Sequence, residues 1–90
     1  MRAVAAYDDA IALYRVLVEQ EHRQELRNDL ARALYNLALA REKQKALPAA
    51  LEAAREARRL WEALVNEGMK HLEKDLADAK ELEARLAKRS

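Results

Sequence analysis

The ninety residues contain one proline, Pro48, and one glycine, Gly68. These two residue types punctuate chains most strongly. With so few turn formers and few β-branched residues, a sheet has little to build on. Ala, Leu, Glu, Arg and Lys dominate instead, and these are the strongest helix formers. Coiled coils and single long helices share that composition, so the spacing of apolar residues has to decide the architecture.

The spacing gives four stripes. Tyr7, Ala10, Leu13, Tyr14, Leu17 and Val18 recur at intervals of three and four. That places them on one face of a helix over about residues 3–20. The polar run QEHRQELRN follows as a connector with a short turn around Leu26. Asn28 suits an N-cap and Asp29 suits a first turn, where the helix dipole favours an anion. Leu30, Leu34, Leu37, Ala38 and Arg41 mark a second helix over about 29–45. Pro48 fits the first turn of a third helix over 48–66, whose stripe includes Ala50, Ala54, Ala57, Trp61 and Leu64. Gly68 stands where a left-handed C-terminal cap belongs. Leu72, Leu76, Ala79, Leu82 and Leu86 mark a fourth helix over 71–88. The very short connector between helices two and three makes them antiparallel neighbours. The expected fold is all-α, a single domain over 1–90.

The chain also repeats itself. LYRVLVEQ from Leu13 aligns with LWEALVNE from Leu60, so Tyr14 matches Trp61 at an offset of 47. After one connector residue is dropped, Leu26, Asp29, Leu30 and Ala33 match Leu72, Asp75, Leu76 and Ala79 at an offset of 46. Farther on, Leu34 and Leu37 fall opposite Lys80 and Glu83. A shift of one residue would give Ala79 and Leu82 instead, and the sequence leaves both registers open. Periods of this length mark helical repeat arrays, and a plain four-helix bundle is the alternative.

Ala31 to Leu60, ARALYNLALAREKQKALPAALEAAREARRL, resembles the tetratricopeptide repeat without a gap. The family's Tyr-Asn-Leu-Gly corresponds to Tyr35, Asn36, Leu37 and Ala38. Its small second-helix residues correspond to Ala50, Ala54 and Ala57, which let two backbones approach closely. Arg41 and Ala54 replace family aromatics, and no proline follows the third helix. The period exceeds the family's roughly 34 residues, as in an extended variant found in large bacterial proteins. The resemblance implies a TPR-like right-handed solenoid fragment and a non-catalytic protein-interaction scaffold that binds a peptide or partner helix; a self-associating structural helical bundle without a groove ligand is the alternative. It carries partner contacts onto Arg32, Tyr35, Asn36, Leu39, Glu42 and Lys43. Asp78, Glu81 and Arg85 follow on helix four, subject to its register.

Other functions find little support. Glu19 and His22 form one Glu-x-x-His pair, but a di-iron bundle needs two plus further inward glutamates. His71 and Asp75 supply only two ligands. There is no cysteine, no threonine and one serine, the terminal Ser90. That removes thiolate and nearly all hydroxyl nucleophiles. No glycine-rich phosphate loop exists. We therefore expect no enzyme, no metal and no cofactor. Seventeen basic and 16 acidic residues give a net charge of +1, unlike the basic excess of nucleic-acid binders. Arg55, Arg58 and Arg59 lie three or four residues from Glu52, Glu56 or Glu62, the spacing of intrahelical pairs.

MRAVAAYDDAIALY acquires Asp8 and Asp9 too early for a signal peptide. No run approaches the ~20 apolar residues of a membrane span. A cytoplasmic protein is expected. Four helices amount to about two repeats, and stacked repeats usually need three. Either the chain is part of a longer array, or it forms a homodimer. Helix four is heavily charged, so helix one is the expected sticky end.

Overall fold

The computed structural model describes the backbone of residues 2–89 and the side chains of residues 6–89. It holds four α-helices, α1 (Arg2–Glu19), α2 (Arg27–Lys43), α3 (Leu47–Asn66) and α4 (Glu73–Arg89). Short 3-10 turns, Gln24–Leu26 and Lys70–Leu72, lead into α2 and α4. No strand occurs among the described residues. Each helix packs mainly on its neighbours in sequence, α1 on α2, α2 on α3 and α3 on α4.

The connectors explain where each helix stops. After α3, Gly68 adopts φ 108°. Its N–H donates to the Val65 carbonyl, and the Met69 N–H donates to the Leu64 carbonyl. This is the two-bond Schellman closure, which satisfies carbonyls left without helical partners. After α2, the Lys45 N–H donates to Glu42 and the Ala46 N–H to Arg41, with Lys45 at φ 62°. The same closure is thus made there without glycine. Pro48 lies in the first turn of α3 as expected.

Asn28 does not cap α2. The helix begins one residue earlier, at Arg27, with Leu26 in the capping position and no side-chain cap bond. The 3-10 turn runs directly into α2, with the Arg27 N–H bonded to the Gln24 carbonyl. That turn covers the chain entry and frees the Asn28 side chain for another partner. The fourth helix likewise starts at Glu73, after the Lys70–Leu72 turn.

The two connectors into α2 and α4 are conformational copies at an offset of 46. Arg23 has φ −81°, ψ 69° and Met69 has φ −82°, ψ 70°. Arg27 and Glu73 agree equally well, at φ −61°, ψ −36° and φ −60°, ψ −35°. Left-handed His22, φ 56°, corresponds to Gly68. The extra residue lies before this point. Arg23 N–H reaches back six residues to Leu17, whereas Met69 N–H reaches back five to Leu64. Helix continuity then carries the 46 register into α4 with no shift. Lys80 stands at the position of Leu34, and Glu83 at that of Leu37.

The helix faces explain the mismatch. α2 is sandwiched and buries Leu30, Ala31, Leu34, Leu37 and Ala38. α4 buries only Ala79, Leu82 and Leu86, its side toward α3. Small residues of α2 and α3 fill much of the core. Ala31, Ala38, Ala50, Ala54 and Ala57 are all fully buried. Leu34, Leu82 and Leu86 are the largest side chains wholly removed from solvent. Burying a leucine side chain contributes about 1.5–3 kcal/mol, so these positions anchor the core. No helix is long and apolar enough to cross a membrane among the described residues.

Ion pairs cross between helices that are not sequence neighbours. Arg15 of α1 meets Glu56 of α3 at 2.7 Å. Glu42 of α2 meets Arg85 and Arg89 of α4, each at 2.8 Å. On α3, Arg58 forms the expected i,i+4 pair with Glu62 at 3.1 Å. Arg55 and Arg58 also share Glu83 of α4. The arginine cluster is therefore largely neutralised across the helix interface as well as along it.

Candidate functional site

The surface singled out by sequence lies on α2, and the structure divides it between two sides of that helix. Arg32 and Asn36 are four residues apart and lie toward α1. Tyr35, Leu39 and Glu42 follow the same helical spacing one residue away, toward α3 and α4. Lys43 is exposed at the last position of α2.

On the α1 side, Tyr7, Ala10 and Tyr14 of α1 and Ala33 and Asn36 of α2 line an open depression. Arg32 stands exposed at its edge, 3.7 Å from Asp29. The half-buried Asn36 amide offers two donors and an acceptor beside two aromatic rings. That combination suits a peptide backbone lying across an apolar floor. Tyr7 and Tyr14 were expected only as packing residues. Their place beside Asn36 depends on the α1–α2 pairing, which local sequence spacing does not specify.

On the other side, Tyr35 lies over Trp61 of α3. The ring centroids are 5.8 Å apart and the planes are tilted by 57°. This is within the range of favourable aromatic pairing. Tyr35 also borders a small polar cleft with Asp78, Glu81, Leu82 and Arg85 of α4. Burial raises the Tyr35 phenol above its ordinary range, and the nearby Asp78 charge adds to that rise. The ring is thus half structural.

Glu42 is committed within the molecule. It accepts two hydrogen bonds from the Arg85 guanidinium, at 2.8 and 3.1 Å, and one from Arg89. Such forked, charge-assisted contacts are the stronger kind of hydrogen bond. They hold the Glu42 carboxyl below the usual glutamate range, Arg85 first and Arg89 second. Leu39 is half-buried against the core. Of the six residues, Arg32, Asn36 and Lys43 therefore keep the most freedom to meet a partner.

Two contacts near this surface escape a local reading of the sequence. Asn28 accepts a hydrogen bond from the buried Trp61 indole at 2.8 Å. Arg27 forks onto Glu67 at 2.6 and 2.8 Å, joining the start of α2 to the end of α3. Both span more than thirty residues of sequence. Among the described residues, no three His, Asp or Glu side chains converge as a metal site. Comparison with family models, with curated proteins and with solved structures gives no match.

Proposed function

We propose that the chain is a non-catalytic protein-interaction module whose partner surface centres on Arg32 and Asn36 of α2. The observation that carries this reading is the depression between α1 and α2. It sets Asn36 beside Tyr7 and Tyr14 on well-packed helices. A pre-positioned amide next to aromatic surface offers hydrogen bonds and apolar contact together, with little entropy lost on binding. The partner is a protein or peptide segment.

The tetratricopeptide likeness supports the same reading. The matched alanines Ala50, Ala54 and Ala57 are fully buried, as the likeness requires of small residues. The duplicated connectors support a repeat origin for the two hairpins. A right-handed stacking of repeats belongs to this proposal.

The test is capture of partners from a source-cell lysate by wild-type protein and by Asn36→Ala and Arg32→Glu variants. Both positions are partly or fully exposed, so the fold should survive. Selective loss of the same captured protein in both variants is expected. Undiminished capture would refute a surface centred on α2. Tyr35→Ala is a poorer probe, because Tyr35 also supports Trp61.

A further inference from the structure

The duplication makes α3 a guide to what α1 lacks. One sector of α3 carries Ala53, Ala57, Leu60 and Leu64. α2 runs along this sector. Ala53 lines a cleft with Leu34 and Leu37 of α2 and Ile11 of α1, and Trp61, two turns on, meets Asn28 and Tyr35 of α2. Ala53, Ala57 and Leu64 are consequently buried, at 5%, 0% and 2% exposure. At the offset of 47, the same sector of α1 is Ala6, Ala10, Leu13 and Leu17. There Ala6 is exposed and Ala10 and Leu17 are only half-buried. Leu13 is 58% exposed. Among the described residues, α1 therefore leaves this apolar sector more open than α3 does, most clearly at Leu13, whose counterpart Leu60 is half-buried.

The adjoining depression fits the same comparison. Tyr14 is the counterpart of Trp61, and Trp61 receives Tyr35 of α2. Beside Tyr14 the equivalent space is open, between Tyr7, Ala33 and Asn36. An incoming helix with an aromatic residue in the Tyr35 register would place that ring there.

We propose that the open sector of α1 docks an amphipathic helix of another polypeptide. Its face would resemble that of α2, a stripe of alanine and leucine with one aromatic residue beside it. Such a helix would lie antiparallel to α1, as α2 lies on α3. This docking rests on the proposed function at the Asn36 depression, which the aromatic ring would fill, and extends it along α1 to Leu13.

A second copy of the chain fits this surface poorly. The matching face of α2 is closed by its own α3, with Ala31, Leu34 and Ala38 at 0–2% exposure. The repeat counterparts on α4 are Ala77, Lys80, Glu81 and Ala84, all exposed. Stacking copies head to tail would set Glu81 against Tyr14, as Tyr35 lies against Trp61, with Lys80 on the same face. Burying such charges without partners is strongly unfavourable.

The sequence of α2 supplies the probe. A fluorescently labelled synthetic peptide of residues 27–46 is titrated into the intact protein and followed by anisotropy. Saturable binding is expected, and Leu13→Glu in the protein should weaken it by about tenfold or more. Tyr35→Ala in the peptide should weaken it by about the same factor. Because Leu13 is exposed, the Leu13→Glu protein should keep its helical circular dichroism and melting temperature. Absence of peptide binding would overturn the proposal. Equal binding to the Leu13→Glu protein would overturn it too, since the peptide would then be exchanging with the protein's own α2. Peptide-free dimerisation abolished by Leu13→Glu would also overturn it, making a second copy the occupant.

Discussion

The Trp61 indole N–H donates a 2.8 Å hydrogen bond to the side-chain carbonyl of Asn28, thirty-three residues away. Trp61 is 3% exposed, so its polar atom sits where water has little access. The bond fastens the beginning of α2 to the second half of α3. Arg27 and Glu67 form a salt-bridged fork at the same end of the hairpin.

Asn28→Leu should therefore destabilise the fold by about 1–3 kcal/mol, the cost of leaving a buried donor unpaired. The midpoint of urea unfolding checks this. Asn28→Asp keeps an acceptor and should cost less. If Asn28→Leu and wild type unfold at the same urea concentration, the bond contributes nothing to stability.

Lys45 occupies a left-handed conformation at φ 62°, where an L side chain costs roughly 1–2 kcal/mol. Lys45→Gly relieves that strain and gives back about 0.5–1 kcal/mol in backbone entropy. A net gain of up to about 1 kcal/mol is expected in thermal or urea unfolding. Gly68→Ala is the converse experiment. Its φ of 108° is strained for alanine even though open space surrounds the added carbon. A loss of about 1 kcal/mol or more should follow from the backbone alone.

Leu34 and Leu13 should differ sharply although both are leucines on helical stripes. Leu34→Ala empties a site at 2% exposure and should cost about 2–5 kcal/mol. Leu13→Ala removes a mostly exposed side chain and should change stability by no more than about 0.5 kcal/mol. Paired denaturation curves test the contrast, and similar losses would contradict the burial pattern described above.

The Glu42 fork makes a pH prediction. Its carboxyl lies below the ordinary glutamate range in the folded chain, chiefly through Arg85. A lowered folded value stabilises the fold fully above the unfolded value. That contribution fades as pH falls through the folded value. Glu42→Gln should therefore lower stability at neutral pH and have a shrinking effect as the solution becomes more acid. Arg85 is about half exposed, so the neutral-pH loss should be no more than about 1 kcal/mol. A loss that stayed constant from neutral to acid pH would assign the effect to packing rather than charge.

The helix stripes were legible because Pro48 and Gly68 mark the ends of α3, and because leucines recur at three and four. The 47-to-46 change in offset was legible as well, and the extra connector residue before Arg23 accounts for it. The fourth-helix register was not legible. α4 keeps the α2 backbone, but Lys80 is exposed and Glu83 pairs with Arg55 and Arg58 of α3, so charges stand where α2 carries Leu34 and Leu37. Asn28 misled because a local pattern matched an N-cap while its actual partner, Trp61, lies far along the chain. His22 and Lys45 gave no local sign of positive φ, which sequence reveals readily only at glycine.

The interaction reading depends most on Asn36, which stands beside Tyr7 and Tyr14 in the α1–α2 depression. The most direct measurement replaces Asn36 with a photo-crosslinking amino acid in the intact protein, expressed in its source cell. One discrete crosslinked partner is expected, lost when Arg32→Glu is added and absent when the crosslinker replaces exposed Arg59 on α3. Crosslinking that is equal at positions 36 and 59, or absent at 36, would contradict the interaction reading.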